Sequence, residues 1–180
     1  MAITNIYNTS ALFFEDLIHA IDQATSEVLL EYYIFHRDSQ IGHDLINALE
    51  RASRRGVQVR LLLDGIGSLD WFYRANAFST NSTVQVFIFN PVPWPMVYFL
   101  GLKASSVDRF LKYWSRVNQK NNKKVAIIDQ SRAFIGSMNI HEETFHWQEM
   151  GVQIDAQELT LLRSHFFGLC EDAMEIQRGT

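Results

Sequence analysis

Three polar side chains in the stretch 116–139, RVNQKNNKKVAIIDQSRAFIGSMN, have the chemistry of a phosphate cradle. Lys124 offers a point charge, Ser137 a hydroxyl and Asn139 a carboxamide, and a charge with two directional groups suits non-bridging phosphate oxygens. They stand at the two ends of what reads as a hairpin. Lys124 enters the apolar run 125–128, which Asp129 closes; 130–132 read as a turn, 133–135 as the returning strand, and Gly136 with Ser137 as a tight exit. The spacing alone also fits a solvent-facing basic turn beside an ordinary hairpin.

The landmarks in this stretch resemble the signature of the phospholipase D superfamily: His-x-Lys, four residues, Asp, six residues, then Gly-Ser-x-Asn. Lys124, Asp129, Gly136, Ser137 and Asn139 fall in register, and Asn122 stands where the pattern has its histidine. EYYIF at 31–35, the pair Ile41 and Gly42, and RRGVQVRLLLDGIGS at 54–68 resemble the bacterial cardiolipin synthase branch, so that the likeness spans roughly 25–155.

The resemblance implies half of an active site per motif copy, completed about a twofold axis. One histidine attacks phosphorus and forms a phosphohistidine; the other protonates the leaving alkoxide and then activates water or an acceptor alcohol. It places Asn122, Lys124, Asp129 and Glu149 at the catalytic positions, with Lys124, Ser137 and Asn139 on the phosphate. Asp129 would orient groups across the shared site. Glu149 would hydrogen-bond the histidine position, so that its partner here is Asn122 or Lys124, or it simply solvates a strand. No metal or cofactor is implied. A carboxamide at 122 neither attacks phosphorus nor carries the proton, so the resemblance implies a protein inactive as written. Position 122 is then either one changed residue in an otherwise active enzyme or a naturally degenerate copy.

Three functions follow as expectations. The first is phosphatidyl transfer or phospholipid cleavage at a membrane surface; the second is a phosphodiesterase or nuclease of the same fold acting on nucleic acid. The third is an inert lipid- or anion-binding dimer. A homodimer is the simplest way to pair two half-sites.

Composition narrows the field less. With 180 residues, 47% of them apolar and 13% aromatic, the chain is expected to be a single domain with its own core. The net charge of −4 gives no general field for nucleic acid. Seven basic residues between Lys103 and Lys124 face only Asp108, and this local patch can focus an anion. Arg116, Lys120 and Lys123 belong to it as accessory attraction. The single cysteine, Cys170, reads as apolar filler in a reducing compartment. No convincing leader and no run of eighteen uncharged apolar residues is present, so the expected location is cytoplasmic or peripheral at the cytoplasmic membrane face.

These groups need a scaffold. Periodicity predicts helices over 10–24 capped by Ser10, over 38–55 stopped by Gly56, over 69–78, loosely over 105–114, and over 156–173 with Leu159, Leu161, Leu162, Phe166, Phe167 and Cys170 inward. Strands are expected at 27–35, 57–63, 83–89 and 149–154 besides the hairpin. Strand, helix and strand from 27 to 63 form a right-handed parallel unit whose second strand ends at Asp64 and the loop GIGS. Asp64 there is an accessory ligand or a turn cap. The expected fold is α/β, with a mixed, mainly parallel sheet and helices on both faces. The apolar segment 90–101, interrupted by three prolines, needs cover from its own domain, another chain or lipid.

Overall fold

The computed structural model describes residues 2–68, 71, 78–79, 82–89, 123–142, 149–156 and 159–175. The segment 90–101, the helix expected at 105–114, most of that at 69–78, and Arg116, Lys120 and Asn122 lie outside the described residues.

An eight-stranded sheet runs in the order β1-β7-β6-β5-β2-β3-β4-β8. Its strands are β1 (Ala2–Tyr7), β2 (Glu27–Tyr32), β3 (Gln58–Asp64), β4 (Gln85–Phe89), β5 (Lys124–Ile128), β6 (Arg132–Gly136), β7 (Gly151–Asp155) and β8 (Met174–Glu175). The described helices are α1 (Ser10–Gln23), α2 (Gln40–Arg54) and α3 (Thr160–Asp172). The mixed α/β sheet flanked by helices is as expected. Its balance is not mainly parallel: β2 pairs parallel to β3 and β3 to β4, whereas the other five pairings are antiparallel. The α2 crossover permits the parallel pair, while the tight turn between β5 and β6 forces reversal.

Alternation along β2 decides what each helix covers. Val28, Leu30 and Tyr32 face α1 and α2, joining Phe13, Phe14, Leu17, Leu45 and Leu49 in the larger core. Leu29 faces the other way, with Leu62, Phe89, Val125, Ile127 and Phe166 against α3. Every β2 residue is buried, as its near-continuous apolar run requires. The strand is shorter than 27–35 because the backbone after Tyr32 bonds to loops and not to a neighbouring strand.

Thr9, not Ser10, is the N-cap of α1; its carbonyl accepts from Phe13 N at 3.3 Å and Ser10 is buried inside the first turn. The start of α2 matches its signals, Ser39 Oγ accepting from Gly42 N at 3.1 Å. Gly56 ends that helix at a φ of 86°, which a side chain would resist. On α3 the expected inward face is narrower: Leu161 is 87% exposed, and the buried members of that face are Phe166 and, just before the helix, Leu159. What docks α3 is polar as well. Glu27, buried on β2, accepts from Arg163 Nε at 2.8 Å and Nη2 at 3.0 Å.

Candidate phosphodiester site

The carboxyl edge of β2 and β3 is where the candidate residues gather. Tyr32 at the end of β2 lies opposite Lys124 at the start of β5, and Gly136 at the end of β6 lies opposite Gly151 at the start of β7. These antiparallel registers bring Lys124, Ser137 and Glu149 to one edge, with Asn139 two residues beyond Ser137. Loops at the carboxyl ends of parallel strands are a usual place for ligands in open sheets.

Lys124 is buried, 6% exposed, with its ammonium 5.8 Å from the centre of the Tyr33 ring. Burial lowers its pKa, and the charge of Glu149 acts in the opposite direction. Ser137 Oγ donates to Glu149 Oε2 at 3.0 Å and accepts from Met150 N at 3.2 Å, while Ser137 N donates to Met150 O at 3.0 Å. Glu149 therefore does more than solvate a strand. It joins the hydroxyl and the ammonium of the motif into one electrostatic unit. Asn139 is partly buried, and Ile140 directly after it donates its N–H to Ile34 O at 3.1 Å.

Asp129 does not join them. It lies past the opposite end of β5, about 17 Å from Lys124 at an extended strand's rise. Both its oxygens are engaged by the start of β2: Oδ2 accepts from Thr25 N and Oγ1 at 2.9 and 3.0 Å, and Oδ1 from Ser26 N and Oγ at 2.8 Å and Glu27 N at 3.0 Å. Burial alone would raise its pKa; the bonds from Glu27, Thr25 and Ser26 prevail and hold it down at about 2. The expectation that Asp129 orients groups in the shared site is thus corrected within this chain. It staples the turn Asp129–Gln130, where both residues take positive φ (49° and 58°), to the strand beside it.

The accessory residues also separate. Asp64 is buried and Oδ1 accepts from Ile66 N at 2.9 Å and Gly67 N at 3.3 Å, the turn-capping alternative. Lys123, one residue before Lys124, meets His165 Nε2 of α3 through its Nζ, and both line a cleft of about 310 Å³ together with Glu31, Lys124, Gly136 and Leu162. Sequence reasoning did not single out Tyr33 by itself or His36. The His36 ring packs edge-on against His141 with centroids 4.1 Å apart, which brings an imidazole pair to the same edge of the sheet. Cys170 behaves as filler, burial pushing its thiol up to about 12. Among the described residues, no cluster of three or more His, Cys, Asp or Glu is arranged to hold a metal, and no helix is long and apolar enough to cross a membrane.

The family model for the cardiolipin synthase, PLD-like domain matches residues 17–168, which include every strand of this edge. The chain belongs to that family. As a phospholipase D-like chain it is 28% identical over 170 residues to a cardiolipin synthase of Clostridium perfringens, covering 90% of this chain and 32% of that protein. The chain thus spans about a third of the length of the curated relatives it matches. Two solved structures share the phospholipase D-like fold. Nuc from Salmonella typhimurium, a phospholipase D family member, aligns at a TM-score of 0.63 with 17% identity over 97% of this chain and 99% of its own. NucT from Helicobacter pylori aligns at 0.60 with 21% identity, covering 94% and 96%.

Proposed function

We propose that this edge binds the phosphate of a phospholipid phosphodiester, and that two such edges form a site for phosphatidyl transfer or hydrolysis. The observation that carries the reading is the gathering of Lys124, Ser137 and Glu149 at one edge, with Asn139 alongside, in a chain of the cardiolipin synthase family. Lys124 and Asn139 neutralise non-bridging oxygens as charge builds on the pentacoordinate phosphorus, and Ser137 supports the same oxygens while holding Glu149. The attacking group belongs at position 122. An imidazole there would form an N–P bond as the alkoxide leaves, and the imidazole of a second motif would give that alkoxide its proton. Water or an acceptor alcohol, deprotonated by the same imidazole, would then displace the nitrogen. With Asn122 the first step has no nucleophile, and the chain binds without turning over.

A second copy of the chain supplies the other half. Met150, next to Glu149, and Ile6 on β1, opposite Val152, are exposed at 68% and 71%, apolar area at this end of the sheet that a partner would cover. The lipid reading places the protein at a membrane surface. The test is turnover of phosphatidylglycerol, phosphatidylcholine and single-stranded DNA by the natural chain and by Asn122→His, with mass in solution measured alongside. Turnover of phospholipid by Asn122→His alone supports the reading. Turnover of DNA alone moves the site to the nucleic-acid class, and a folded dimer inert on all three is a binding protein.

A further inference from the structure

Two motifs read in the sequence, EYYIF and GIGS, meet in space beneath the phosphate-binding residues. Ser68 is fully buried; its Oγ donates to Tyr33 O at 3.1 Å and accepts from Phe35 N at 3.0 Å. Trp71 Nε1 closes the same segment by donating to Phe35 O at 2.9 Å. Gly67 sits so close beneath it that a Cβ would stand 2.1 Å from Tyr33 O. Residues 33–35 have left the β2 ladder, and this loop supplies the hydrogen bonds that buried backbone needs.

The other side of the segment serves the motif. Ile34 O accepts from Ile140 N at 3.1 Å, His36 N donates to Ile140 O at 2.8 Å, and Phe35 and Ile140 form a parallel bridge. Ile140 directly follows Asn139. The ring of Tyr33 lies within cation–π range of the Lys124 ammonium. One short stub after β2 therefore supports both the lysine and the asparagine, and Ser68 fixes that stub from behind.

We infer that Tyr33 is a positioning residue whose ring face aims Lys124 into the phosphate site, and that Ser68 sets the pose of Tyr33 and of the backbone beside Asn139. The inference rests on Lys124 being a phosphate ligand. The second tyrosine of EYYIF thereby acquires a role that its neighbour Tyr32, buried in the core, does not share.

The test uses the natural chain, because it reads binding and not turnover. Inorganic phosphate is titrated into the native protein, Lys124→Gln, Tyr33→Leu, Tyr33→Phe and Ser68→Ala, with the Lys124 ¹³Cε resonance followed in those that keep the lysine. Lys124→Gln is expected to abolish binding. Tyr33→Leu should weaken it about three- to tenfold and move the resonance, while Tyr33→Phe stays within about twofold of native with the resonance in place. Ser68→Ala should follow Tyr33→Leu; where that core change unfolds the protein, the tyrosine pair decides. Native binding in Tyr33→Leu with an unmoved resonance, while Lys124→Gln binds nothing, overturns the positioning role. Equal loss in Tyr33→Phe and Tyr33→Leu overturns the ring-face contact. Undiminished binding in Lys124→Gln removes the phosphate reading itself.

Discussion

Ser137 Oγ donates to Glu149 Oε2 at 3.0 Å, and that carboxylate bears electrostatically on the buried Lys124 ammonium. Removing the charge in Glu149→Gln takes away a charge that opposes burial, so the lysine should titrate further below its ordinary range. Ser137→Ala frees the carboxylate to move and should shift the lysine the same way by less. ¹³C NMR of the lysine ε-carbon checks both, and an unmoved lysine in Glu149→Gln contradicts the coupling.

Lys124 costs stability in exchange for its site. A lysine with a lowered folded pKa holds its proton less tightly than in the unfolded chain, so at neutral pH its charge weakens the fold. The cost is relieved as pH rises from the lowered value toward the ordinary lysine range. Lys124→Met should therefore raise stability at pH 7 by about 1 kcal/mol while abolishing phosphate binding. Denaturant unfolding at pH 7 and in the alkaline window measures it; the gain should shrink at high pH.

Asp129 works in the opposite sense. Its folded pKa of about 2 lies below the ordinary 3.8, so its contribution is fully present above about pH 4 and is lost as pH falls toward 2. Asp129→Asn should lose about 2 kcal/mol at pH 7 and little at pH 2, which urea unfolding across that range would show. Phosphate affinity in the folded variant should change less than twofold, since the residue lies at the far end of β5.

The Glu27–Arg163 pair anchors α3 to the sheet. Among the described residues, Arg163→Met leaves the buried carboxylate with Arg60, at 3.9 Å, as its cation, and should cost about 3 kcal/mol. Glu27→Leu combined with Arg163→Met should recover most of that. A double-mutant cycle in thermal unfolding decides it, and additive losses would contradict the pairing.

Local pattern made the hairpin, the β2-α2-β3 unit and the polar groups of the motif readable, because spacing along one strand fixes what stands at its ends. The first strand was hidden: its pairing with β7 shifts register between Ile3 and Asn5, which breaks the alternation a strand would show. Strand direction depends on partners distant in sequence, so the four antiparallel pairings besides the β5–β6 hairpin did not follow from apolar runs. The role of Asp129 was invisible for the same reason, as its five donors lie more than a hundred residues away. Ser68 looked like a loop serine, and only its burial against the Tyr33 carbonyl gives it a function.

A covalent trap tests the phosphodiester site at its missing nucleophile. The natural chain and Asn122→His are incubated with phospholipid labelled at phosphorus, quenched in alkali, and separated from unbound lipid. Asn122→His should carry an alkali-stable, acid-labile label that is lost when Lys124→Met is added, and the natural chain should carry none. Label on the natural chain, or a folded and dimeric Asn122→His that takes none, would contradict a phosphodiester site missing only its nucleophile.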